Sequence, residues 1–263
     1  MSTIEKTFKG AFLSLRYPTK DFIAFLVSSQ ESERNDMNKE IESFKSVIFD
    51  MDGTILDSEP LHARAIQKVF SKYDINMSAK DIMNRYVGWG DDNVYKDKVE
   101  LHQHISHSEF IDQKDSILLK VIDDFSEEEF ISYFAKDFFR FIDELKKEKK
   151  LISIVSASAR VTVNSFLKKA NILEKFDYIL TRDEVFETKP SPACYLEAMR
   201  NLKTKSIETV IFEDSHHGLT SALSSGAKVY AIDLSLNDQT TFKNIDNNKL
   251  QTNGNYSWLF KNS

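Results

Sequence analysis

The chain has 263 residues, 41% of them apolar, which is enough for one sizeable α/β core and a smaller second domain. Its formal net charge of −6 argues against a nucleic-acid partner, and no segment approaches the roughly 20 apolar residues that a membrane-spanning helix needs. A single cysteine, Cys194, excludes an internal disulfide and fits a reducing, cytoplasmic setting, with the thiol expected on a buried or half-buried helix face.

In chain order, residues 1–36 come first, within an extension drawn as 1–40. They carry two apolar patches, Ala11-Phe12-Leu13 and Phe22-Ile23-Ala24-Phe25-Leu26-Val27. Arg16, Pro18, Lys20 and Asp21 between them spoil a signal-peptide core, and Glu5, Glu31 and Glu33 argue against a transit peptide.

Ser46-Val47-Ile48-Phe49 then reads as a buried strand, and Gly53 breaks it. Asp50 and Asp52 therefore emerge in the loop at the strand's carboxyl end, where open α/β sheets keep their sites. Alternation points both carboxylates to one side, where double ionisation is disfavoured unless a cation intervenes or one group holds a proton. Ionised and steered by a metal, Asp50 is a candidate nucleophile; protonated, Asp52 can donate to a leaving group and later take a proton from water. Taken alone, the string also reads as a solvated loop with two surface acids.

Further strand-like runs at 151–155, 178–180, 210–212 and 229–232 alternate with helical stretches, which predicts a doubly wound, Rossmann-like parallel sheet with right-handed crossovers. Roughly 100 residues separate the first two strands, far more than one crossover needs. The intervening 59–138 has helical periodicity (Ala65, Ile66, Val69, Phe70; Ile117, Leu118, Val121, Ile122) and reads as an α-helical cap, with the core at 41–58 and 139–263. Within it, Trp89 beside Gly88 and Gly90 is either a stacking platform for a substrate ring or a packing anchor. His102, His104 and His107 match no single helix face and read as a solvated turn, and Lys114 reads as a surface helix lysine.

Leu151-Ile152-Ser153-Ile154-Val155 runs into Ser156-Ala157-Ser158, a hydroxyl beside backbone N–H groups that can hold an anion. Lys189-Pro190-Ser191-Pro192 places an ammonium just before a helix start, and Thr209-Val210-Ile211-Phe212 ends in a second acidic pair, Glu213-Asp214.

In that order these four motifs resemble the haloacid dehalogenase superfamily of phosphotransferases. Asp57-Ser58-Glu59-Pro60-Leu61-His62 and Glu213-Asp214-Ser215-His216-His217-Gly218 are similar to its β-phosphoglucomutase-like and sugar-phosphatase branch, over roughly Ser46 to Ile232. The resemblance implies that Asp50 attacks phosphorus to form an aspartyl-phosphate and that Asp52 is general acid and then base. It implies Mg²⁺ on the Asp50 carboxylate, the Asp52 backbone carbonyl and Asp214, with Glu213 helping directly or through water. Ser156 and Lys189 would stabilise the transferring group, while Thr54, His62, Gly88, Trp89, Ala157 and Arg160 are expected to contact a small phosphorylated metabolite. Dehalogenases of the superfamily lack the second Asp, so its presence favours phosphoryl transfer.

Mutases of this branch keep an Arg that grips a distal phosphate where an ungapped reading gives Asp91 here, which favours a phosphatase acting on a sugar phosphate. A β-phosphoglucomutase-type mutase is the alternative, and a non-catalytic phosphometabolite-binding protein the third. Two departures from the family stand out. Tyr133-Phe134-Ala135-Lys136-Asp137 replaces the usual Pro-Gly before the return to the core, and Met37 resembles a natural start, which leaves the preceding segment either a mis-assigned start or one that docks on the core or a partner.

Overall fold

The computed structural model describes residues 39–86, 89–100, 105–232, 234 and 251–260. The expectations for residues 1–36, Gly88, His102 and His104 fall outside that set. Six strands form one parallel sheet: β1 (Ser46–Phe49), β2 (Leu151–Val155), β3 (Tyr178–Leu180), β4 (Thr209–Glu213), β5 (Lys228–Ile232) and β6 (Gln251–Asn253), in the order β3-β2-β1-β4-β5-β6. The α/β expectation holds, and each of the five predicted strands lies where its apolar run does. β6 is additional, since Gln251-Thr252-Asn253 has none of the apolar character that marks a strand in sequence.

β1 is buried along its whole length because both faces of a central parallel strand are covered by helices. Val47 and Phe49 face one layer, where Phe49 meets Phe138 and Phe141 of one helix edge-on at 5.5 and 5.8 Å; Ile48 faces the other, with Tyr195 and Leu219. Register puts Phe49 level with Ile154 of β2 and Phe212 of β4. The three strands therefore leave the sheet within one residue of one another at one edge, at the point where strand order reverses.

Among the described residues, the first five helices after β1 are α1 (Glu59–Lys72), α2 (Ala79–Tyr86), α3 (Asp91–Val94), α4 (His107–Asp123) and α5 (Glu127–Ile131), with a π-helical turn at Tyr95–Val99. The residues whose spacing marked α1 and α4 are the buried ones. Ser106 with Glu109, and Ser126 with Glu129, form reciprocal capping boxes that start α4 and α5. α5 ends at Ile131, and α6 (Phe138–Lys147) opens with Phe138 packed against Phe49 of β1.

The remaining core helices are α7 (Arg160–Lys169), α8 (Ala193–Leu202) and α9 (His216–Ser224). The insertion rests on the core partly through Phe130 of α5 against Phe166 of α7, with ring centroids 5.6 Å apart. The two linkers between them are stitched together: Asp57 N–H donates to Tyr133 O at 2.8 Å, Ala135 N–H to Ile55 O at 2.9 Å, and Leu56 bridges Phe134. Asp137, which precedes α6, adopts a left-handed backbone with φ 62°, a conformation that Asp tolerates better than most side chains.

Candidate active site

Asp50 leaves β1 with its N–H still bonded to Phe212 O at 2.9 Å, so the sheet ladder fixes its backbone. Its carboxylate is buried and paired with the Lys189 ammonium. Lys189 also donates to Glu213 Oε1 at 2.7 Å and to Val155 O at 3.3 Å, which uses its three hydrogens on groups from three different strands. Glu213 is fully buried. Its Oε1 accepts from Lys189 and from the Tyr195 hydroxyl at 3.0 Å; its Oε2 accepts from the backbone N–H groups of Asp214 (2.7 Å) and Ser215 (2.9 Å). With both oxygens so engaged, Glu213 holds Lys189 and the start of α9 and does not aim a free oxygen at a metal.

That arrangement demands Gly218. A Cβ there would lie 1.6 Å from Glu213 Oε1, so the first turn of α9 can pass the carboxylate only without a side chain. Gly53 is constrained likewise, with φ 80° and a hypothetical Cβ 2.1 Å from Asp214 Oδ2. Asp214 accepts from the Thr54 hydroxyl at 3.1 Å. Thr54 is itself fully buried and faces Asp214, not the cavity where substrate contact was expected.

Asp52 sits in a ring of donors. Ser58 Oγ reaches its Oδ1 at 2.6 Å, Ser158 Oγ its Oδ2 at 2.7 Å, Ser156 Oγ its Oδ2 at 3.4 Å, and His62 Nε2 lies 3.6 Å from Oδ1. The Ser156 hydroxyl also accepts the Ser158 N–H at 3.0 Å. Burial pushes the Asp52 carboxyl up, but the bond and charge of His62, with the Ser58 and Ser158 hydroxyls, outweigh it and hold the group down at about 2.

Asp50 and Asp214 go the other way. Burial raises both and the charge of Glu213 adds to it; Asp52 further raises Asp50, and Asp50 further raises Asp214, while Lys189 offsets only part of this. Two carboxylates forced towards protonation in one pocket form a site that a cation relieves. Among the described residues no three His, Cys, Asp or Glu side chains form a metal cage. Two carboxylates beside a backbone carbonyl are nevertheless a hard, all-oxygen set with room for waters and a phosphate oxygen, which fits Mg²⁺.

The space in front of these groups is divided into two adjoining cavities between the core and the insertion. One, of about 200 Å³, is lined by Asp52, His62, Trp89, Lys114, Ser158 and Arg182 among others; the second, of about 370 Å³, by Ser156, Ala157, Lys189, Asp92 and His107 among others. Asp91 and Arg182 line both. Lys114 is almost wholly buried and pairs with Asp91 and, at 3.1 Å, with Asp115; Arg182, from the core, reaches across to Asp115. A surface lysine was expected at 114, because helical spacing alone does not show what covers a helix face.

Arg160 is the expected contact that the fold does not bring to the cavity. Its Nε donates to Glu184 Oε1 at 2.9 Å and its Nη2 to Ile179 O at 2.8 Å, so the guanidinium braces β3. Trp89 lines the cavity half-exposed and meets Tyr86 edge-on at 5.5 Å. Ser58, Ser158 and Arg182 are site residues that sequence reasoning missed, and Lys114, whose reading as a substrate contact ranked behind that of a surface lysine, lines the cavity. The two serines lay inside strings already singled out, whereas Lys114 and Arg182 come into view only through tertiary placement.

The comparisons with known proteins agree with this geometry. The haloacid dehalogenase-like hydrolase family profile matches residues 47–232. The pyrophosphatase PpaX of Bacillus mycoides (strain KBAB4) is 24% identical over 202 residues, 73% of this chain and 84% of that protein. Among solved structures, a family IA haloacid dehalogenase hydrolase from Entamoeba histolytica superposes with a TM-score of 0.66 at 22% identity, covering 83% of this chain and all of that one. A CbbY variant from Rhodobacter sphaeroides in complex with xylulose-(1,5)bisphosphate gives 0.64 at 18% over 81% and 95%, and β-phosphoglucomutase from Clostridium difficile gives 0.63 at 20% over 82% and 93%. With the matched span running from the first strand of the sheet to the fifth and taking in all four motif loops, the chain belongs to the haloacid dehalogenase-like hydrolase family.

Proposed function

We propose that the protein is a Mg²⁺-dependent phosphatase that hydrolyses a small phosphorylated metabolite, a sugar phosphate by preference, through a phosphoryl group carried on Asp50. The observation that carries this reading is the separation of Asp50 and Asp52. They are neighbours on one loop, yet Asp50 is bound by Lys189 while Asp52 is bound by hydroxyls and His62 at the cavity wall. That separation suits one as nucleophile and the other as proton carrier.

Asp50 and Asp214, with the Asp52 backbone carbonyl, are the groups that would hold Mg²⁺, whose positive charge would let a carboxylate approach a phosphate. Lys189 orients Asp50 and offers its charge to the equatorial oxygens of the transferring group, with Ser156 beside it. A phosphate dianion entering the cavity adds negative charge next to Asp52 and raises its pKa, which draws a proton onto it in the substrate complex, and His62 is placed to pass that proton. Asp52 gives the proton to the leaving oxygen and then removes one from the water that attacks phosphorus. The helical insertion acts as the cap that keeps other water out during the first step.

The substrate is small, since the cavities hold about 200 and 370 Å³. A single buried free cysteine and the absence, among the described residues, of any helix long and apolar enough to cross a membrane are consistent with action in the cytoplasm. The mutase reading keeps one observation in its favour: Lys114 and Arg182 bring two cations to the cavity, so the Asp91 carboxylate is already neutralised and does not by itself repel a second phosphate.

The test is phosphate release from a panel of sugar phosphates, other small phosphomonoesters and inorganic pyrophosphate, with and without Mg²⁺. Metal-dependent release that Asp50→Asn lowers by at least about a thousandfold is the expected outcome. Conversion of β-glucose 1-phosphate to glucose 6-phosphate without net release would replace the phosphatase by the mutase. Silence in both assays would leave a binding protein.

A further inference from the structure

The chain continues past the span shared with the family, and one residue of that continuation reaches the catalytic loop. Tyr256 precedes a 3₁₀ turn at Ser257–Phe260 and is fully buried. Its ring stacks on Phe141 at 5.4 Å and meets Phe49, Phe138 and Phe212 at 5.4 to 6.0 Å, directly beneath β1 and β4. A hydroxyl in so apolar a nest needs a partner, and it donates to the Thr54 carbonyl at 3.2 Å. The Tyr256 backbone N–H donates to Lys136 O at 3.1 Å, and the neighbouring Ser257 hydroxyl donates to the Asp137 carboxylate.

Those partners sit on different crossings of the chain. Thr54 belongs to the loop leading into the insertion, and Lys136 and Asp137 to the segment leading out. Thr54 in turn donates its hydroxyl to Asp214 at 3.1 Å. A continuous path of hydrogen bonds therefore runs from the Tyr256 hydroxyl through residue 54 to a carboxylate of the acidic pair, while the same tyrosine ties down the return linker.

We propose that Tyr256 is a positioning residue: its hydroxyl, through Thr54, sets the placement of Asp214 for the divalent cation, and so couples the C-terminal segment to the active site. This rests on the metal-dependent phosphatase reading for its consequence in catalysis, but not for its consequence in metal binding. Removing the hydroxyl leaves the aromatic packing intact and a buried carbonyl without that donor, which loosens the Asp52–Thr54 turn. Asp214 is then held less well, and the cation binds more weakly.

The experiment compares Tyr256→Phe with Phe141→Leu, which removes packing from the same ring but no bond to Thr54. Mg²⁺ alone is titrated by calorimetry, and phosphate release is measured against Mg²⁺ and substrate concentration. Tyr256→Phe is expected to weaken Mg²⁺ binding about five- to tenfold and to lower kcat with KM for the phosphomonoester unchanged, whereas Phe141→Leu lowers the urea midpoint and leaves Mg²⁺ affinity within about twofold of the wild type. Unchanged Mg²⁺ affinity in Tyr256→Phe, or an equal loss in both variants, overturns the proposal. Wild-type protein that binds Mg²⁺ but releases no phosphate overturns the phosphatase reading instead, and the calorimetry still decides the role of Tyr256.

Discussion

At the scale of single residues, Glu213 shows how a buried charge is made tolerable. It has no access to water, so each oxygen must find donors inside the protein, and Lys189, Tyr195 and two backbone N–H groups supply them. The cost appears at Gly218, where α9 passes so close that a methyl group would overlap the carboxylate. Gly218→Ala should therefore destabilise the protein by about 1–3 kcal/mol in urea unfolding and lower activity by displacing Lys189, whereas an equal substitution at Gly90, which has open space around it, should leave the unfolding midpoint unchanged. Equal unfolding midpoints for both variants would contradict this account. Asp50, Asp52, Lys189 and Asp214 were legible in the sequence because each follows directly on a strand or precedes a helix, so local pattern places them. Arg160 was misread because one residue's offset after a strand cannot show whether a long side chain turns to the cavity or to Glu184.

At the scale of elements, the insertion and the core meet across charges that no local pattern displays. Lys114 on α4 joins Asp91 of α3, and Asp115 beside it takes Arg182 from the loop after β3. Burial alone would raise the Asp91 carboxyl, but the Lys114 ammonium, with smaller help from His62 and Arg182, holds it below the usual range. A lowered folded-state pKa means that the fold favours the ionised form. The pair's contribution is thus present above the unfolded value of about 3.9 and is lost as pH falls through the folded one. Asp91→Asn should be less stable than the wild type by about 1–3 kcal/mol at pH 7, and the gap between their urea midpoints should narrow as pH falls below the ordinary carboxylate range. A gap independent of pH would show that Asp91 contributes by packing alone. The helices α1 and α4 were readable because apolar spacing over several turns is a strong signal, while β6 and the end of α5 at Ile131 were not, since a three-residue polar strand and a linker carry no period.

At the scale of the whole molecule, parallel strands β2, β1 and β4 end within one residue of one another in register, and that common edge gathers Ser156, Asp50 and Glu213 from distant parts of the chain. Lys189 enters from the loop before α8, and Trp89, Asp91 and Lys114 from the stretch between β1 and β2 line the space in front. The architecture thus separates a buried, metal-fitting acidic pair from a hydroxyl-lined carboxylate at the cavity wall, and the account stands on Asp50 being the group that takes the phosphoryl. The most direct measurement is acid-quenched mass spectrometry of Asp52→Asn mixed with Mg²⁺ and p-nitrophenyl phosphate, whose leaving group needs no protonation, so that transfer proceeds while hydrolysis of the intermediate is slowed. The account predicts one phosphoryl group on the peptide containing Asp50, absent in the Asp50→Asn, Asp52→Asn double variant. Release of nitrophenol with the phosphoryl group on another residue, or on none at any quench time, would contradict it.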